Sequence, residues 1–543
     1  FDGIYFDAID GSDILGGPEN FWYYGSKFLF EVAKHLKRPV GMEMSSMVHH
    51  WWHYRSRWQA WDTPRRGFKR FVDIHSSSIK SGEYEHGYWR GDTSLINKLA
   101  PLENGGLLLP LQLGWWLNFT WNPPQTEPTF TDDIEYLCCK MVWNNAGLAL
   151  LGGIEKKEID ENPSFRRLNT IIKQYEELRH KNYFNDTIRA LLRKPGKEFT
   201  LFREDAGSWN FKPTAYQKHK VLGINHPSAH WFVNNEFDIQ PVMLRIEPLL
   251  SVKSYTDKDN ILLTDFSSPM NFLNKGTANG VSGEIISSTE KMISGDAGGI
   301  FSAISSGVSP RNGSWISMEK KFEPWLNLEK NQALGVWIKG DGNGEILNFR
   351  LETPEQFSAG VRGDHFVKID FTGWKYFELV EIESAEFTNY IWPGSEISPE
   401  SVMKDLFVYK SYLHSVQFDK VDKLQLWYNN LPAGKEVSCM VGPVKAIPTV
   451  YENIDNPSIS IGGGKITFPV KMESGMYLEF RSSTDCKLYG SKGQLLMEII
   501  PEGKIPNLVN GINEISFSCI GSDEINPRVQ VTVINEGDPL LKK

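Results

Sequence analysis

Three acidic residues near the start of the chain stand where cleavage of a glycosidic bond would need them. Asp7 and Asp10 close the apolar run Ile4-Tyr5-Phe6, and Glu43 closes the next run in Gly41-Met42-Glu43-Met44. Neighbouring strands of a sheet lie about 5 Å apart. A retaining glycosidase needs a carboxylate nucleophile about 5–5.5 Å from a protonated carboxyl. Met42, Met44, Trp51 and Trp52 would desolvate Glu43. Loss of water penalises the charged form, so it raises the pKa and keeps the group a proton donor. Taken alone, the Asp7/Asp10 pair is a weak signal, because Asp is common in loops after strands.

The densest segment of unusual composition follows. Residues 47–71 contain three His, four Trp and five Arg. His49-His50-x-x-His53 lacks the carboxylate of a zincin pattern, so no metal is expected. In one reading, His49, His50, Trp51 and Trp52 meet sugar rings, while Arg55, Arg57, Arg65 and Arg66 pair with a carboxylate or sulfate on an acidic glycan. In an equal alternative, the Arg and Trp side chains pack on one another in a lid. Glu85, His86, Trp89, Arg90 and Asp92 are further candidates for substrate contact, with Gln112, Trp115, Trp116 and Asn118. The chain is 13% aromatic, with 18 Trp and 19 Tyr, which suits sugar faces but also the core of large sandwiches.

These residues need elements to hold them. Apolar runs at 3–9, 39–47, 68–75, 107–113 and 146–151 alternate with helix-like stretches at 20–38 and 132–144, a strand–helix period that implies a parallel sheet. Five strands suit a doubly wound sheet or strands 4–8 of a (β/α)₈ barrel. The barrel is favoured because polar and aromatic residues crowd the strand C-termini. Residues 163–194 read as helical. Four regions are expected: 1–195 as the C-terminal part of a (β/α)₈ catalytic barrel, 196–255 as a small β region packed on it, 256–448 as a jelly roll, and 449–543 as a C-terminal β-sandwich. The chain opens directly on a core strand, so the remainder of the barrel is expected before residue 1.

Two resemblances refine this. Tyr5-Phe6-Asp7, a helix, and then Gly41-Met42-Glu43-Met44-Ser45 resemble the endo-α-N-acetylgalactosaminidase family and, more remotely, the α-amylase-type barrels. The likeness spans about fifty residues. It implies Asp7 as nucleophile and Glu43 as acid/base. Relatives in the clan that use an Asp after the sixth strand make Asp73, in the run closed by His75, the rival acid; its other reading is a helix cap or a partner for an arginine. The His- and Trp-rich loop departs from the family, so its substrate does not carry over. Trp337-Ile-Lys-Gly-Asp-Gly-Asn-Gly344 and Leu426-Trp-Tyr-Asn-Asn-Leu-Pro-Ala-Gly434 resemble the family 11 carbohydrate-binding modules and the related complex-I-intermediate-associated domain. That module implies glycan binding. Trp337, Trp374 and Trp427 would form a sugar platform in it, or lie in its core as sandwich Trp more often do.

The net charge of −9 argues against a nucleic-acid partner. No apolar run is long enough for a membrane span. Five cysteines without metal spacing are too few for a disulfide scaffold. No cofactor is expected, a structural Ca²⁺ in a sandwich module being the one ion the composition leaves room for. The leading expectation is a secreted, periplasmic or cell-surface glycoside hydrolase acting on a poly- or oligosaccharide, α-linked or acidic. A uronate-directed polysaccharide lyase using His49, His50, Tyr54 and Arg57 is the second reading. A glycan-binding protein without catalysis is the third.

Overall fold

Short apolar strands separated by amphipathic helices can only pair in parallel, because each crossover returns the chain to the same end of the sheet. The computed structural model describes residues 3–6, 19–38, 40–44, 61–62, 66–70, 72–73, 112–116, 123–150, 155–205, 207–268, 272–288, 290, 298–354, 362–382, 390, 392, 416–522 and 524–540. Within them, strand Gly3–Phe6 pairs in parallel with Gly41–Met44, and helix Phe21–His35 makes the crossover. Leu29 seats this helix, and the ring of Phe28 meets Phe6 edge-on at 5.8 Å. Lys34 and His35 in its last turn complement the helix dipole. A second parallel set runs Trp61–Asp62, Gln112–Trp116, Gly147–Leu150. Helix Thr131–Asn144 links the last two. It opens with Asp132 and Asp133 at its positive end and closes on Asn145 in the left-handed conformation. Helices Lys156–Glu161, Ser164–His180 and Asp186–Leu192 follow.

Among the described residues the parallel strands form a pair and a triplet that share no hydrogen bonds, so neither the expected strands 4–8 of a barrel nor a doubly wound sheet is shown. One expectation changes. The run 68–75, read as a strand, is helical at 68–70 and 72–73. Phe68 and Val72 are both buried, and their spacing of four residues belongs to one helix face. Gly67, at φ 67°, turns the chain into it.

From Glu198 onward the strands among the described residues pair antiparallel. Strands Leu495–Glu498, Asp485–Tyr489, Tyr477–Ser482, Met243–Pro248, Val529–Glu536, Trp209–Val221 and Glu198–Arg203 form one sheet in that order. Glu502–Gly503, Gly464–Thr467, Asn453–Ile461, Gly511–Ile520 and His230–Asn235 form the sheet facing it. Leu244, Ile246, Trp231, Ile459, Phe480 and Val531 meet in the core between them. The strands expected over 196–255 and over 449–543 as separate regions therefore interleave in one sandwich. Val529–Glu536 is hydrogen-bonded to Met243–Pro248 on one side and to Trp209–Val221 on the other.

A second sandwich lies between these halves. Ile261–Thr264, Val444–Ile447, Ala333–Asp341, Glu436–Val441, Gly299–Ser305 and Val281–Ser287 make one sheet, with Thr372–Leu379 also paired to Ala333–Asp341. Leu273–Thr277, Ile316–Leu326, Val421–Asn429, Glu345–Glu352 and Arg362–Ile369 make the other. The Gly342/Gly344 turn carries the chain from one sheet to the other. Both glycines hold positive φ there, 79° and 85°.

Candidate functional site

The parallel pair fixes the first acidic candidate. Tyr5 and Glu43 are direct partners in the ladder, between Ile4–Met42 and Phe6–Met44. Met42, next to Glu43 on the same strand, is buried. Asp7 and Asp10 lie outside the described residues, as do His49, His50, Trp51, Trp52, Arg55, Arg57, His75, Glu85, Trp89 and Arg90. Gln112, Trp115 and Trp116 lie on one central strand, where Trp115 pairs with Trp61, Trp116 with Asp62, and Gln112 with Gly147 across a bulge.

Asp73 is not at a strand end. Its carboxylate accepts a 2.6 Å hydrogen bond from Tyr136 Oη and a 2.9 Å one from Gly196 N, and Lys140 Nζ stands 3.8 Å away. Lys140 Nζ in turn donates to the carbonyls of Leu192 and Lys194 at 3.0 and 2.8 Å. Both carboxylate oxygens are engaged and the group is buried. Asp73 thus ties helix Thr131–Asn144 to the turn at Gly196, and its placement as a rival acid is corrected to an anchor.

The outer face of the second sandwich's sheet containing Glu345–Glu352 holds polar residues that sequence reasoning passed over. Asp364 accepts from Asn348 Nδ2 and Arg350 Nε, each at 2.6 Å, with Arg362 Nε at 3.7 Å. Burial alone would raise the Asp364 pKa; the charges of Arg350 and Arg362 outweigh it and hold the carboxyl below its usual range. Gln425 Nε2 donates to Glu319 at 3.0 Å, and Gln425 Oε1 accepts from Trp427 Nε1 at 2.9 Å. The Arg350 guanidinium lies 4.6 Å over the Trp427 ring, which also meets Trp315 at 5.0 Å and Trp392 at 6.4 Å. The signal was the alternation of Leu347, Phe349 and Leu351 with Asn348, Arg350 and Glu352. Because this layer is buried, Trp427 serves packing rather than an open sugar platform. Trp337 likewise packs on Tyr376, at 5.3 Å.

Among the described residues no three His, Cys, Asp or Glu side chains converge as a metal site would. No helix among them is long and apolar enough to cross a membrane.

No family model matches the chain. A curated relative, the mannan endo-1,4-β-mannosidase of Bifidobacterium adolescentis, is 32% identical over 85 residues, which is 15% of this chain and 8% of that protein. The chain thus spans less than a tenth of the length of that relative. A solved family 11 carbohydrate-binding module from Clostridium thermocellum, in complex with a β-1,3-1,4-mixed-linked tetrasaccharide, is similar at TM-score 0.24 and 16% identity, over 35% of this chain and 95% of that one. A carbohydrate-binding module studied for specific mannan recognition is similar at TM-score 0.21 and 14% identity, over 35% and 98%. An exo-β-agarase is similar at TM-score 0.22 and 12% identity, over 35% and 25%. All three scores are below 0.5, and the chemistry rests on the residues themselves.

Proposed function

We propose that the protein is a carbohydrate-active enzyme, a glycoside hydrolase of (β/α)₈ type working on polysaccharide outside the cytoplasm, with Asp7 as nucleophile and Glu43 as acid/base. The observation that carries this reading is the parallel ladder in which Glu43 faces Tyr5, two residues before Asp7. Residues two apart on a strand share a face, so an extension of the first strand by one residue would bring the two carboxyls to the same side of neighbouring strands. The local similarity to a mannan endo-1,4-β-mannosidase supports the carbohydrate class and makes β-mannan the first substrate to try.

In the proposed cycle Asp7 attacks the anomeric carbon while Glu43 gives its proton to the departing glycosidic oxygen. Glu43, now ionised, then takes a proton from the water that displaces Asp7, which leaves a hemiacetal and regenerates both groups. Reducing-end release is measured on galactomannan and on a panel of other polysaccharides. Glu43→Gln and Asp7→Asn are each expected to lower kcat by about 10²–10⁴-fold or more with an unchanged circular-dichroism spectrum. Full turnover in either variant overturns the assignment. An unsaturated uronate product would assign lyase chemistry in its place.

A further inference from the structure

The sandwich that brackets the jelly roll carries a groove of about 660 Å³ on the sheet containing His230–Asn235 and Gly511–Ile520. Strand register builds its floor. Ser460 pairs with Ser516, and Ser516 with His230, so three short polar side chains cross three strands in one row. Glu514 and Phe232 form the next rung. Alternation turns these positions outward, since Ile459, Ile461, Ile515, Phe517, Trp231 and Val233 fill the core beneath.

The walls are the glycine turn 462–464 and the segment 504–509. That segment is pinned on both sides. Lys504 N donates to Lys465 O and Val242 N to Pro506 O, both at 3.0 Å. Val509 N donates to Asn513 Oδ1 at 2.9 Å, and Asn513 Nδ2 returns a 2.8 Å bond to Val509 O. The groove is therefore formed before any ligand arrives, which keeps the ordering cost of binding small.

Its chemistry selects the ligand class. Ser460, Ser516, His230 and Asn507 offer hydroxyl, imidazole and amide groups along the floor and wall. Ile512 and Val509 supply apolar surface, and the Phe232 ring beside the floor is 68% exposed. The charged side chains of the lining, Lys504 and Glu514, are of opposite sign. That balance suits neither nucleic acid nor a polyanionic glycan, both of which call for a basic footprint. Polar groups repeat across the strands every 4.7–4.9 Å or so, close to the length of one pyranose in an extended chain. We infer that this groove is a binding site for a neutral, extended polysaccharide chain, separate from the ladder that holds Glu43. The inference rests on the carbohydrate reading above.

The test uses the full chain carrying Glu43→Gln, so that polymer is not consumed, in native electrophoresis through gels containing galactomannan, mixed-linkage β-glucan or polygalacturonate. A neutral polymer should retard the parent, and polygalacturonate should not. Phe232→Ala and Ser516→Tyr should each weaken retardation at least fivefold, with His230→Ala as a further variant should Ser516→Tyr fail to fold. Equal retardation of all variants, retardation by polygalacturonate alone, or none by any polymer overturns the site. The same groove substitutions made without Glu43→Gln should leave hydrolysis of a short oligosaccharide within twofold. If Glu43→Gln itself leaves hydrolysis intact, the catalytic assignment fails while the groove is still judged by retardation.

Discussion

Arg245 Nη1 donates to Asp132 Oδ1 at 2.7 Å, joining the first turn of helix Thr131–Asn144 to a central strand of the interrupted sandwich. Lys69 Nζ reaches the other Asp132 oxygen and Glu198 Oε2, each at 2.6 Å, and Arg245 Nε stands 3.3 Å from Glu247. The guanidinium also lies 3.5 Å over the Phe130 ring. Burial works to raise the Asp132 pKa; the charges of Arg245 and Lys69 overcome it and hold the carboxyl well below the usual range. Both partners are almost fully buried, so each depends on the other for its solvation.

Truncating Arg245 leaves Asp132 with Lys69 alone and takes the guanidinium from buried Glu247. Arg245→Ala is expected to cost about 3–5 kcal/mol, read as a shift of the urea midpoint. The double change Arg245→Met with Asp132→Leu should cost less than Arg245→Ala alone, because the Asp132 charge then leaves with its partner, Lys69 keeps Glu198, and Glu247 keeps the bond from Gln530. A double variant as unstable as the single would show that packing, not charge, dominates the contact.

Asp73 and Glu43 should respond oppositely to amide substitution. Asp73→Asn weakens the bonds from Tyr136 and Gly196 and should lower stability by about 1–3 kcal/mol, with glycan turnover within twofold of the parent. Glu43→Gln should do the reverse. Thermal unfolding paired with reducing-sugar release separates the two, and a large loss of turnover in Asp73→Asn would return that residue to the chemistry.

Stability should depend on pH in a defined direction. Burial pushes Glu135 up to about 8, against the hydrogen bond it accepts from Leu201 N. Glu345 is raised to about 7 by burial and by the nearby Asp341 carboxylate. A carboxyl whose pKa is raised on folding binds its proton more tightly in the folded state. Its contribution is complete below the ordinary value of 4.5 and is lost as pH climbs towards 7–8. Glu127 behaves oppositely. Burial opposes its ionisation, but Lys218, Arg66 and the Gly67 amide lower its pKa to about 2, so its contribution is present above 4.5 and fades towards 2. Tm should therefore fall between about pH 5.5 and pH 8.5, and Glu135→Gln should flatten the fall. A Tm that rises over this interval in the parent would contradict the burial of Glu135.

All five cysteines lie among the described residues and none is paired; Cys519 is half-buried and the others are buried. Burial pushes the thiols of Cys139, Cys486 and Cys519 up to about 12, and the thiolate is the reactive form. Native protein should show almost no rapid reaction with Ellman's reagent, and denatured protein five thiols. Fast labelling of Cys139 in the native state would place it outside the core.

Periodicity made local structure legible. Spacings of three and four in residues 20–38 and 132–144 foretold the helices Phe21–His35 and Thr131–Asn144, since one apolar face must be buried whatever covers it. The same reasoning put Glu43 at the end of a parallel strand. It failed at 68–75, where Phe68 and Val72 fit a helix face within a run too short to choose between periods.

By itself, then, the sequence determined which segments are helix or strand, the switch to β structure after residue 198, and the acidic and aromatic residue types on offer. Tertiary structure alone decided that the strands over 198–248 and 453–536 belong to one sandwich, that Asp73 is an anchor, and that Ser460, Ser516 and His230 stand in one row. Helix and strand propensities act over a few residues. Strand pairing across a long insertion depends on which apolar faces fit together once the chain has collapsed, and no local pattern encodes that choice.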